Sequence, residues 1–223
     1  MNNIFTVNNF RAAGFVFKEY LAKEMGGTPE SIAISPYVVR VTKPLSATES
    51  SYDFTFTNSQ TKNSSELLLA DSDIIQIYGI SVGIQKFAAA ATDFSTIQYN
   101  WPDPAVFTAG TGAEAKSLEL IYGGLFNLWT GNTLRIPNLS NSVFRTAPSG
   151  GAYYGPTPEE RGYFIPNEYP VMYGNKQNRV NISVANGDKT AMPQSGATAN
   201  NLILQFLCFR YNGQNNDVTG CAL

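Results

Sequence analysis

From residue 32 onward the chain is written in short β-branched and aromatic runs cut by Pro, Gly and Asn, a pattern that few architectures other than packed β-sheets can absorb. Tyr37-Val38-Val39-Arg40-Val41-Thr42 stops short of Pro44, and Tyr52-Asp53-Phe54-Thr55-Phe56-Thr57 alternates strictly, which puts three aromatic rings on one face. In the run 74–86, Ile75 and Ile77 share one parity while Ile80, Val82 and Ile84 take the other. Side chains alternate with period two, so keeping all five on one face needs an extra residue. The parity changes across Tyr78-Gly79, and a β-bulge at the glycine, Gly79, is the simplest source of it. Residues 125–130, a Gly131-Asn132 turn and 133–136 read as a hairpin. Val180, Ile182 and Val184 alternate, and 202–211 is apolar on both parities, the mark of a central strand covered on both sides.

Eight strands are therefore expected, over 37–42, 52–57, 74–85, 95–100, 125–130, 133–136, 179–184 and 202–211. Two helices flank or interrupt them. In the first, Asn8 or Asn9 caps a segment in which Phe10, Phe17, Leu21 and Met25 fall on one stripe, Glu19 and Lys23 form an i,i+4 pair, and Gly26-Gly27 ends the helix. In the second, Thr111-Gly112-Ala113-Glu114 matches a capping box ahead of Ala115, Leu118, Ile121, Tyr122 and Leu125, which keep helical spacing past Gly123-Gly124, with a strand over Leu118 to Tyr122 as the rival reading. Between Pro137 and Pro170 prolines, glycines and tyrosines accumulate, and loops rather than strands are expected. The organisation is an amphipathic helix and linker over 1–31, then one all-β domain over 32–223 with a loop-rich insertion around 137–175. Long Gly/Pro-rich connections between strands favour a jelly-roll or Greek-key β-sandwich or barrel over a meander. A compact double jelly roll is the alternative, though it needs about sixteen strands in the same length.

The chain has no histidine among its 223 residues, which removes the side chain that titrates near neutral pH and the commonest imidazole metal ligand. Catalysis would have to rest on carboxylates, lysines, tyrosines or two thiols. Asp71 with Asp73 and Glu159 with Glu160 are the only carboxylate pairs worth weighing for glycoside hydrolysis, and Asp71 and Asp73 also for a calcium ion. Neither pair has a motif around it, and acids at Glu159-Glu160 suit the start of a short helix. No enzyme, cofactor or metal site is expected. Fifteen basic and seventeen acidic residues leave a net charge of −2 with no basic arm, so direct nucleic-acid binding is not expected. The amino-terminal residues lack a signal-peptide pattern, and synthesis and folding in a cytoplasm are expected, with Cys208 as a small buried hydrophobe rather than half of a disulfide to Cys221.

Charged residues make up only 14%, so much of the surface is left to Asn, Ser, Thr and Gly, which are cheaper to desolvate against a neighbour than Lys or Glu. The candidate contacts between subunits are Phe10, Phe17 and Leu21 on the first helix and Tyr153, Tyr154 and Tyr163 in the tyrosine-rich loops. The helix stripe has a second reading as ordinary packing on its own domain, and the tyrosines have two, as a second core or a sugar-stacking face. The segments Leu67-Leu68-Leu69-Ala70-Asp71-Ser72-Asp73-Ile74, Leu120-Ile121-Tyr122-Gly123-Gly124-Leu125 and Tyr173-Gly174-Asn175-Lys176-Gln177-Asn178-Arg179-Val180 sit within this pattern of helix, strands and loops. With them the chain resembles the jelly-roll coat proteins of tailless icosahedral bacteriophages. The resemblance implies a major capsid protein in the virion, a homo-oligomer of three or more copies that also meets other virion proteins. It further implies that the first helix lies near an internal membrane. A receptor-binding spike or glycan-binding β domain is the alternative from the same scaffold.

Overall fold

The computed structural model describes residues 7–46, 48–57, 66–88, 98–99, 119–145, 163–185 and 198–213. Among them are one long helix, α1 (Val7–Met25), and ten strands: β1 (Ser35–Pro44), β2 (Ser51–Thr57), β3 (Glu66–Leu68), β4 (Asp73–Ala88), β5 (Gln98–Tyr99), β6 (Leu125–Thr130), β7 (Thr133–Ser140), β8 (Val171–Tyr173), β9 (Asn178–Ser183) and β10 (Thr198–Asn212). Residues 119–122 are helical and are followed by Gly123 and Gly124, whose N–H groups donate to the carbonyls of Glu119 and Ile121. The capping box at 111–114 lies outside the described residues.

The strands form two five-stranded sheets, β1-β10-β4-β5 with β8 on the same free edge of β4, and β3-β2-β9-β6-β7. Apart from the parallel β2·β3 contact, the ladders are antiparallel. Four ladders are nested, joining β1 to β10, β2 to β9, β4 to β8 and β6 to β7. Two more, β10·β4 and β9·β6, close each sheet through its centre.

The parity slip read in β4 is a bulge. Gly79 faces Leu207 and Ile77 faces Cys208, so Tyr78 has no partner of its own on β10. This extra residue keeps Ile75, Ile77, Ile80, Val82 and Ile84 all in the inner core and sends Tyr78 to the opposite face. Three departures from the expected strands have physical causes. β7 runs on through Pro137 to Ser140 because it is the sheet's edge, where a missing N–H breaks no ladder. A register shift there places Asn138 at φ 48, and its N–H is satisfied by the Asn127 side chain at 2.8 Å. β3 and β8, each three residues long, are too short to display a period, and β8 turns part of the expected 137–175 loop into strand.

One core fills the space between the sheets. Val39, Ile77, Leu204 and Phe206 from the first meet Tyr52, Phe54, Phe56, Leu128 and Ile182 from the second, with the Phe56 and Phe206 rings 5.5 Å apart. A second, smaller core lies on the outer face of the first sheet, where α1 packs over Tyr78, Phe209 and Tyr211. Phe10 meets Phe209 at 4.3 Å and Tyr78 edge-on at 5.3 Å. Gly14 lets the helix come close, since a Cβ there would sit 3.2 Å from the Phe209 ring. This explains why β10 is apolar on both parities: one side faces the sandwich and the other faces a helix.

Candidate interaction surfaces

The helix stripe is turned toward its own chain. Phe17 and Leu21 are completely buried, Ala13 and Ala22 nearly so, and Phe10 is half-buried against the same sheet. The expectation that Phe10, Phe17 and Leu21 reach a neighbour is therefore corrected, because the bulged Tyr78 and Phe209 supply an apolar surface within the chain that they cover. Met25, assigned to the same stripe, is 44% exposed past the end of that contact. Asn8 and Asn9 lie inside the helix, which begins at Val7, so neither is its cap. The outward face carries Arg11, Ala12, Glu19 and Lys23 with Phe15 and Val16, which are 50% and 48% exposed. Among the described residues no helix is long and apolar enough to cross a membrane.

The tyrosine-rich stretch is only partly described. Tyr153 and Tyr154, with Glu159 and Glu160, lie outside the described residues. Tyr163 is half-buried beside the bulge, where a Cβ on Gly79 would come 3.4 Å from its Cβ. The segment around it seals the free edge of β4: Phe164 exchanges backbone hydrogen bonds with Ile80, and Ile77 donates to the Pro170 carbonyl at 2.8 Å. Tyr169 stacks near Tyr78 at 5.5 Å, and the Phe164 ring meets Phe144 edge-on at 6.2 Å. These rings pack on their own domain.

Asp73 also has an internal role. It is 2% exposed and takes both arms of the Arg210 guanidinium, Nε at 3.0 Å on Oδ1 and Nη2 at 2.8 Å on Oδ2, while Oδ2 accepts the Ala70 N–H at 3.0 Å. Arg210 in turn lies over the Tyr37 ring at 5.2 Å, so this pair ties β4, β10 and β1 together. Asp71 is exposed, and no group of three or more Cys, Asp or Glu among the described residues could share a metal ion. Cys208 is buried and reduced, and burial pushes its thiol well above the ordinary range. Cys221 lies outside the described residues.

The outer face of the second sheet is polar and open. Registered rows run Asp53–Asn181–Asn127 and Thr55–Arg179–Trp129 across β2, β9 and β6. Asn181 donates to Ser51 Oγ and Asp53 Oδ1 at 2.6 and 3.0 Å, and Arg179 stacks on Trp129 at 4.3 Å. Leu134, which pairs with Trp129, is 42% exposed, and Leu125 and Val143, at the other end of the hairpin, are 39% and 37%. Among the described residues the large exposed apolar side chains are thus Phe15, Val16, Met25 and Val38 on the helix side and Leu125, Leu134 and Val143 along β6 and β7.

Sequence reasoning missed the strongest polar junction of the domain. Asn178 is fully buried at the start of β9, where its Oδ1 accepts the Gly131 N–H at 3.2 Å and its Nδ2 donates to the Tyr173 and Lys176 carbonyls at 2.9 Å each. It pins the β6–β7 turn to the β8–β9 turn. An Asn beside Gly174-Asn175-Lys176-Gln177 looks like one more turn residue, and only the sheet order reveals the junction. Beside it opens a cavity of about 460 Å³ lined by Thr130, Asn132, Thr133, Arg135, Tyr173, Lys176 and Gln177 among others. Compared with protein-family models, curated proteins and solved structures, the chain matches none of them.

Proposed function

We propose that this protein is a structural subunit of a virus-like shell, the major capsid protein of a tailless icosahedral bacteriophage, built on a single jelly roll. The observation that carries the reading is the nested strand order. Setting β3 and β5 aside leaves eight of the ten strands, which pair first with last, second with seventh, third with sixth and fourth with fifth. A hairpin of four strand pairs, rolled so that successive pairs fall in opposite sheets, gives that order. It is the jelly-roll arrangement used by many capsid and lectin domains. Because such a fold hosts several functions, the assembly reading needs support from the surface. The two apolar groups lie on different faces, Phe15, Val16 and Val38 beside the helix and Leu125, Leu134 and Val143 beside the edge strand β7. Two unlike patches that meet each other make a head-to-tail contact, which closes into rings and, repeated, into shells. The low charge of the sequence lowers the cost of burying the surface around them.

Mass photometry of the purified protein across a concentration series tests the reading. Ring- or shell-sized species that disappear when Phe15 and Val16 are replaced by Ser are expected. A monomer at every concentration, with glycan affinity on an array, would favour a receptor-binding domain instead.

A further inference from the structure

We propose that the cavity between the β6–β7 and β8–β9 turns binds a sugar-sized ligand that carries one anionic group. This inference does not rest on the shell reading, although the cavity adjoins Leu134 of the β6–β7 surface. Two cations face the cavity, Arg135 and Lys176, and its lining contains no carboxylate. Lys43, Arg145, Arg179 and Arg210 each have a carboxylate within ion-pair distance; among the described residues Arg135 and Lys176 have none, as is true also of Arg11, Lys18, Lys23 and Arg40.

Both cations are held in place. Arg135 Nε donates to Thr130 Oγ1 at 3.0 Å, which orients the planar guanidinium and leaves its terminal nitrogens for a bidentate contact with an oxyanion. Lys176 Nζ lies over the Tyr173 ring at 4.6 Å. The Tyr173 hydroxyl is hydrogen-bonded to that of Tyr20, so α1 reaches the edge of this site. The turns that carry the lining are fixed to each other by buried Asn178, and a site whose parts are already ordered loses less entropy on binding. The remaining lining is hydroxyl and amide, from Thr130, Thr133, Asn132 and Gln177, which suits the hydroxyl groups of a sugar. The cavity is a cleft open to solvent, with Asn132, Thr133, Arg135, Lys176 and Gln177 exposed along it, and its volume of about 460 Å³ exceeds what a bare oxyanion fills.

Titration calorimetry and amide chemical-shift mapping with glucose 6-phosphate, glucuronate, inorganic phosphate and glucose test the assignment on the full chain. The expected result is saturable binding of at least one anionic sugar, with shifts at Gly131, Asn132 and Lys176, tighter than inorganic phosphate and weakened by salt. Arg135→Gln and Lys176→Gln should each weaken it about tenfold or more, and Arg135→Lys should recover only part of the loss. Both side chains are exposed, so unchanged thermal melts will show that the variants are folded. Glucose binding as tightly as its anionic forms would overturn the proposal, as would the absence of saturable binding at 20 mM probe (roughly the millimolar limit of a specific site) or undiminished binding in the Arg135→Gln/Lys176→Gln double variant.

Discussion

Phe17→Ala separates a helix that belongs to the fold from one that waits for a neighbour. The ring is fully buried on the outer face of the first sheet, in the cluster formed by Tyr78, Phe209 and Leu21. A phenylalanine buries roughly 150–250 Å², and at about 25 cal/mol/Å² its transfer contributes about 4–6 kcal/mol as an upper bound, since unfolded chains hide part of that area. Alanine keeps the Cβ but leaves a cavity between helix and sheet, so the expected loss is about 3–4 kcal/mol. Guanidinium unfolding of dilute, unassembled protein, followed by far-UV circular dichroism, measures it as a lower midpoint at an unchanged slope. Phe15→Ser, on the exposed side of the same helix, should shift stability by less than about 0.5 kcal/mol. A Phe17→Ala change below about 0.5 kcal/mol, together with lost assembly, would refute the reasoning and return the stripe to a neighbouring subunit.

Other expectations follow from the same contacts. Gly174→Ala should destabilise severely, because its new Cβ would collide with the Ala70 carbonyl oxygen, a backbone atom that cannot swing away; a soluble variant with an unchanged melting temperature would contradict this. Asn178→Ala strands several buried partners and should cost about 3 kcal/mol or more by denaturant unfolding, whereas an exposed neighbour such as Gln177→Ala should be nearly neutral. Burial raises the Cys208 thiol and the Tyr122 hydroxyl, so both stay protonated in the folded chain while their unfolded forms ionise near about 8.5 and 10. Their contribution is complete below those values and is lost as pH rises above them. Stability should fall on the alkaline side, and iodoacetamide at pH 8 (roughly the free thiol's ordinary range) should label Cys208 only after unfolding. Rapid labelling at Cys208 of the native protein, distinguished from Cys221 by peptide mass, would contradict that placement.

The sheets were legible wherever a run was long enough to show its period. The slip between Ile77 and Ile80 located the bulge to within one residue, because β4 must keep both of its halves facing one core; the unpaired residue is Tyr78 rather than Gly79. The double-sided apolarity of 202–211 marked β10 as central, although the sequence did not say that a helix would cover its second side. Three-residue strands carry no period, and Pro137 hid the continuation of β7 because an edge strand tolerates what a central one does not. The site features that escaped are those made by pairing. Asp73 and Arg210 are 137 positions apart, and Asn178 reaches Gly131 across 47. No local pattern encodes such distances; they follow once β4 lies beside β10 and β9 beside β6. Of the helix stripe Phe10, Phe17 and Leu21 face the sheet and Met25 does not, and a stripe states only that a face is buried, not by what.

Electron microscopy of the assembled protein tests the central claim most directly. The account predicts closed particles with one copy of this sandwich repeated regularly over the whole surface, joined by the helix side of one copy and the β6–β7 side of the next. Copies confined to the vertices of a shell made of another protein, or the absence of any particle at high concentration, would contradict it.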